Sequence, residues 1–148
     1  PCDLIILAIG VKPNTEIAKK AGIELGVSQA ISVDETTRTN MENIYAAGDC
    51  AESIHLVTGK KVYMPLGTVA NRQGRVAGEN AAGKKSIFKG VLGTTMTKIF
   101  ELEVARTGLS SIEAEREKLD FIKVTIKGSS RSKAYPLGKP VLLTYIVE

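Results

Sequence analysis

The chain has 148 residues, 43% hydrophobic and 24% charged, with 20 basic against 16 acidic side chains and a formal charge of +4. That length holds one medium domain with a real core, or parts of two, and the composition excludes a disordered chain. The longest apolar runs, residues 4–9 and 141–147, are far short of a membrane span.

The basic residues are scattered in pairs such as Lys19-Lys20, Lys60-Lys61 and Lys84-Lys85, with no aromatic interleaving, which argues against nucleic-acid binding. A modest positive field equally suits a phosphate-bearing ligand. Cys2 and Cys50 belong to no metal-ligand spacing and His55 is the single histidine, so no metal site is expected and a reducing, cytoplasmic setting is the simpler reading.

In chain order, "DLIILAIG" (Asp3 to Gly10) reads as a strand buried on both faces of a parallel sheet. "KPNTEIAKKAG" follows with helix punctuation: Asn14 or Thr15 as N-cap, Glu16 in the first turn, Lys19 and Lys20 in the last, and Gly22 as the stop. A small strand is expected around Ile31 to Val33 and a second buried strand from Ile44 to Ala47. His55 then falls in a surface excursion and is read as structural or solvated. From Gly67 to Ala82 a helix is expected, with Ala70, Gly74, Ala77, Gly78 and Ala81 as one stripe of small side chains. Its internal glycines cost about 1 kcal/mol each relative to alanine, so close backbone approach to a sheet or ligand is the expected reason.

The glycine-bounded "GKKSIFKG" marks a domain boundary near residues 83–91. Beyond it come strand candidates at Thr94 to Phe100, Glu103 to Thr107, Asp120 to Ile126 and Val141 to Val147. A helix starts at Ser110 with Glu113 completing a capping box. Strands with one covering helix suggest an α+β domain. Pro1 runs directly into a strand pattern and the last strand has no closing turn, so the chain reads as a piece of a longer protein.

The abrupt Gly48-Asp49 after the apolar "NIYAA" sits where ligands bind in open α/β sheets, beyond a strand's carboxyl end. A carboxylate there can accept hydrogen bonds from sugar hydroxyls. From the dipeptide alone, a plain turn is the stronger reading.

The whole segment "TNMENIYAAGDC" (Thr39 to Cys50), however, resembles the second flavin-binding motif of the pyridine nucleotide-disulfide oxidoreductase family, in which the Asp holds the ribityl chain of FAD. "LIILAIGVKPNT" (Leu4 to Thr15) resembles that family's exit from its NAD(P)H domain and "ISVDETTRT" (Ile31 to Thr39) the return to its FAD domain. "PLGTVANRQGRVAGENAAG" (Pro65 to Gly83) resembles the helix whose N-terminus meets the flavin. "FELEVARTGLSSIEAE" (Phe100 to Glu115) and "SSRSKAYPLGKP" (Ser129 to Pro140) are similar to the dimerisation domain of the coenzyme A-disulfide reductase, NADH oxidase and NADH peroxidase branch. Tyr135 matches that branch's tyrosine near the partner's active site, while Ala134 and Leu137 depart from its Tyr-Pro-Gly pattern.

The resemblance implies an α/β fold: a partial FAD/NAD(P)-binding Rossmann-like domain followed by a truncated α+β dimerisation domain. Residues 1–15 would be the exit strand of the NAD(P)H domain, 16–86 the C-terminal part of the FAD domain and 87–148 the start of the dimerisation domain. Thr39, Gly48, Asp49, Gly67, Thr68 and Val69 would bind FAD; Asn71, Arg72 and Tyr135 would lie on the substrate side. A helix N-terminus at Gly67 to Val69 suits a ring that gains negative charge on reduction.

Electrons would pass from NAD(P)H through FAD and a cysteine centre outside this chain to a disulfide, peroxide, polysulfide or oxygen, in a homodimer. No catalytic residue is expected within these 148 positions, and the piece alone is expected to be inactive. Cys50 is read as a packing residue. The alternatives are a non-catalytic dimerisation or binding module and a flavin reductase of an electron-carrier protein.

Overall fold

The computed structural model describes residues 2–132 and 134–148. Pro1, and Lys133 of the Ser129 to Pro140 stretch, lie outside the described residues. The chain divides into two compact units, the first running to Ala105 and the second spanning Arg106–Glu148.

In the first unit the expected strand at residues 3–10 is absent. The segment carries no regular structure and its apolar side chains point to solvent, Leu7 being 81% and Ile9 90% exposed. A strand exists only where a neighbour completes its hydrogen bonds, and no described residue pairs with this one. Helix α1 (Glu16–Lys20) follows with the anticipated charges and with Gly22 in the left-handed region at φ 80°. Thr15 stands at its N-cap, but its hydroxyl donates to the Gln29 carbonyl at 3.0 Å instead of serving as a cap.

The strands expected at residues 31–33 and 44–47 shrink to single bridges, Ile31 with Leu25 and Ala51, and Tyr45 with Arg38. Asp34 ends the first extended stretch: its carboxylate accepts from Thr36 N–H at 2.8 Å and Arg38 N–H at 3.0 Å, turning the chain at once. The segments still bury their apolar side chains, with Ala18, Ile31, Val33, Ala46 and Ala51 forming one core cluster and Cys50 packed against it.

Strands β1 (Ser53–Ile54) and β2 (Lys61–Val62) pair antiparallel. Between them His55 is 4% exposed, so it is not in a surface excursion. Its N–H donates to the Lys60 carbonyl at 2.8 Å, and the adjoining Leu56 N–H donates to Val91 O at 2.9 Å. That seam folds residues 88–91 over the hairpin.

Helix α2 (Gly67–Ala81) matches the expected helix closely. Its buried stripe is Val69, Gln73 and Val76, packed with Phe88 and Val91. The small-residue stripe is a different face: a side chain built at Gly74 or Gly78 would meet nothing within 4 Å. At the far end Asn80 donates to Thr36 O at 2.8 Å and Ser86 O at 2.9 Å and accepts from Ser86 N–H at 2.8 Å, anchoring the chain as it leaves the helix. Strands β3 (Thr95–Ile99) and β4 (Leu102–Arg106) form a hairpin.

In the second unit, α3 (Ser111–Arg116) opens with the full capping box. The Ser110 hydroxyl accepts from Glu113 N–H at 3.3 Å and the Glu113 carboxylate accepts from Ser110 N–H at 2.7 Å. Arg106 also pairs with Glu113 at 2.7 Å. Strands β5 (Ile122–Ser129) and β6 (Pro140–Val147) pair antiparallel along their whole length, from Ile122 opposite Val147 to Ser129 opposite Pro140. Their side chains are largely exposed within the unit.

Candidate functional site

The first unit brings the Gly48-Asp49 turn against the N-terminal half of α2. Gly48 has φ 86°, a left-handed backbone that side chains resist. A Cβ placed there would lie 3.5 Å from that of Ala70. Its N–H donates to Gln73 Oε1 at 2.9 Å and its carbonyl accepts from Ala51 N–H at 3.0 Å. The next carbonyl, that of Asp49, accepts from the Tyr63 hydroxyl at 3.0 Å. Burial, and then the neighbouring Asp49 and Cys50 side chains, raise the Tyr63 pKa above its ordinary value. Asp49 itself is exposed, and among the described residues its carboxylate has no hydrogen-bond donor.

Thr39 is buried at 8% and works locally: its hydroxyl donates to Ile44 O at 3.0 Å and accepts from Met41 N–H at 3.2 Å, closing the turn that leads into the Tyr45 to Gly48 segment. At the start of α2, Leu66 occupies the N-cap position and no side chain caps the helix. Val69 N–H donates to Leu66 O at 2.9 Å and its side chain enters the core. The Gly67 and Thr68 N–H groups precede any intrahelical acceptor and lie at the positive end of the helix. Both residues are exposed, and space around Gly67 is open.

Asn71 and Arg72 are exposed on the same helix. The Arg72 guanidinium carbon lies 5.7 Å from the centre of the Phe88 ring, and Thr68 and Arg72 line a shallow groove with residues 91–94. Tyr135, in the second unit, is 67% exposed in the β5–β6 connection, where its N–H donates to Ser132 O at 2.9 Å.

Gln73 and Glu52 were not anticipated. Glu52 is 2% exposed, accepts from Ser32 Oγ at 2.7 Å and Val27 N–H at 3.2 Å, and pairs with Lys61 Nζ at 2.6 Å. Lys61 also donates to the Val33 carbonyl. Burial alone would raise the Glu52 pKa, but the hydrogen bonds from Lys61, Ser32 and Val27, with the Lys61 charge, hold it below its ordinary value. The sequence signal for Gln73 was a polar residue four after Val69 and three before Val76, on the face that should be apolar.

The profile of the pyridine nucleotide-disulphide oxidoreductase family matches residues 1–74. The chain belongs to this family. A relative from Pyrococcus abyssi (strain GE5 / Orsay), named NAD(P)H sulfur oxidoreductase (CoA-dependent), is 47% identical over 146 residues, covering 99% of this chain and 33% of its own length. An NADH oxidase from Methanocaldococcus jannaschii is 43% identical over 144 residues, covering 97% of this chain and 32% of its own. Among solved structures, an NAD-dependent persulfide reductase from A. fulgidus superposes with a TM-score of 0.94 at 44% identity, covering 99% of this chain and 27% of that one. The chain thus spans about a third of the length of the curated relatives it matches. Its α/β class and its partial coverage of an FAD/NAD-dependent oxidoreductase agree with the sequence reading. No helix among the described residues is long and apolar enough to cross a membrane.

Proposed function

We propose that this chain is the flavin-facing and dimer-forming part of a cytoplasmic, homodimeric FAD-dependent NAD(P)H oxidoreductase, with residues 1–15, 16–86 and 87–148 divided as the resemblance implies. The observation that carries the reading is the Gly48-Asp49 turn seated on Ala70 and Gln73 of α2, with an exposed Asp49 carboxylate, together with the uncapped start of that helix. Those groups fit a flavin: a carboxylate for ribityl hydroxyls, and Gly67 and Thr68 N–H groups at a positive helix end for the electron-rich ring edge.

Asp49 would anchor the ribityl chain, Gly48 would admit it, and Thr39 and Val69 would shape the backbone on either side. Asn71 and Arg72 would face the electron acceptor, and Tyr135 would lie near the active site of the partner subunit. Bound FAD would supply two-electron chemistry between NAD(P)H and a cysteine centre outside this chain. The names of the relatives favour a sulfur acceptor linked to coenzyme A, with oxygen as the alternative. The 148 residues alone would have no turnover.

The test is the visible spectrum of the intact protein carrying this chain, followed by anaerobic titration with NADH and with NADPH. Coenzyme A disulfide, polysulfide and oxygen are then offered separately. A bound flavin reduced by a nicotinamide and reoxidised by a sulfur acceptor is the expected result. A colourless protein that FAD cannot reconstitute refutes the reading.

A further inference from the structure

We infer that Gln73 is a positioning residue that sets the Gly48-Asp49 turn, and with it the direction of the Asp49 carboxylate, for a polyol ligand; this rests on the flavin reading above. Gln73 is 1% exposed on a helix face otherwise occupied by Val69 and Val76. A buried polar group at such a place is costly unless its hydrogen bonds are made, and here they are. Oε1 accepts from Gly48 N–H at 2.9 Å, while Nε2 donates to Glu52 O and to Ser53 Oγ, each at 3.0 Å. The partners fix the amide's orientation, since Gly48 N–H can only donate and Glu52 C=O can only accept.

The far end of this link is rigid as well. Glu52 is held through its side chain by Val27, Ser32 and Lys61. On the other side of the turn, Tyr63 holds the Asp49 carbonyl and Ala51 N–H holds that of Gly48. The protein therefore uses the Gly48 N–H and both carbonyls of the turn for itself and leaves the Asp49 carboxylate facing outward. A side chain serving only to fill space on α2 would need no amide here. Among the described residues, Gln73 makes the hydrogen bond that ties the helix to the residue before the carboxylate.

The test uses the intact protein carrying this chain, stripped of flavin and titrated with FAD, with urea unfolding and amide hydrogen exchange on the same flavin-free samples. Gln73→Met removes all three hydrogen bonds at similar length. Gln73→Glu keeps an acceptor facing Gly48 N–H and loses the two donors. Gln73→Met should weaken FAD binding by about tenfold, the equivalent of one hydrogen bond, and speed exchange of the Gly48 amide by a similar factor. Gln73→Glu should keep affinity within about threefold although its unfolding midpoint falls at least as far as that of Gln73→Met. Affinity that follows the unfolding midpoint through both variants, or unchanged Gly48 exchange in Gln73→Met, overturns the inference. A wild type that binds no FAD overturns the flavin reading, whereas a Gln73→Met variant that binds as well as a competent wild type overturns the role of Gln73 alone.

Discussion

Replacing Lys61 by Met would leave the Glu52 carboxylate buried without its cation. Removing one member of a buried ion pair costs about 3–5 kcal/mol. Two features lower that figure here. Glu52 keeps the Ser32 hydroxyl and the Val27 N–H, and the Lys61 side chain is 39% exposed, so water can reach its place. The expected loss is about 2 kcal/mol, close to that of one charge-assisted hydrogen bond. Because the folded-state pKa of Glu52 is depressed, its contribution is present above the unfolded value of about 4.3 and is lost as pH falls through the lower folded value. Without Lys61 the carboxyl titrates higher and protonation relieves the penalty. The stability gap between wild type and variant should therefore be full at about pH 7, narrow as pH falls toward the unfolded value of about 4.3, and close once pH is below the depressed folded value of the wild type. Urea unfolding followed by far-ultraviolet circular dichroism across that range measures it. A gap under about 0.5 kcal/mol at neutral pH, the scale of an ordinary surface change, or one that does not narrow on acidification, would refute the reasoning.

Gly48→Ala has room for its methyl group against Ala70, so its cost should be that of the left-handed backbone, about 1–2 kcal/mol, read as a lower unfolding midpoint. Ser110→Ala removes the acceptor for Glu113 N–H and should destabilise α3 by about 1 kcal/mol, visible as faster amide exchange at Glu113 with no change at Gly48. Asn80→Ala breaks all three hydrogen bonds that hold the end of α2 to Thr36 and Ser86. The unfolding free energy should fall by about 1–3 kcal/mol and the Ser86 amide should lose protection.

The elements legible in the sequence were those whose information is local. The Ser110 and Glu113 capping box encodes α3 within four residues, and α2 needs only a proline-free run opened by Gly67 and closed before Gly83. The apolar run at Leu4 to Ile9 was different: it states a demand for neighbours without containing them, and no described residue meets that demand. His55 was misplaced because Thr58 and Gly59 mark a turn that looks like surface, whereas the return of Val91 alongside Ile54 and Leu56 covers it. The small-residue stripe on α2 drew attention from its neighbour. Ala70 does approach Gly48, but the buried anchor is Gln73, whose partners lie 20 to 25 residues away in sequence and become visible only on folding. The Gly48-Asp49 turn itself was legible through motif resemblance rather than periodicity.

Under the proposed function, FAD affinity depends on the Asp49 carboxylate. In the intact protein carrying this chain, the FAD dissociation constants of wild type and Asp49→Ala, measured by flavin fluorescence, test it most directly. A charge-assisted hydrogen bond is worth about 1.5–3 kcal/mol, so the variant should bind about tenfold to a hundredfold more weakly. Equal affinity in a variant that folds as well as the wild type would contradict the account.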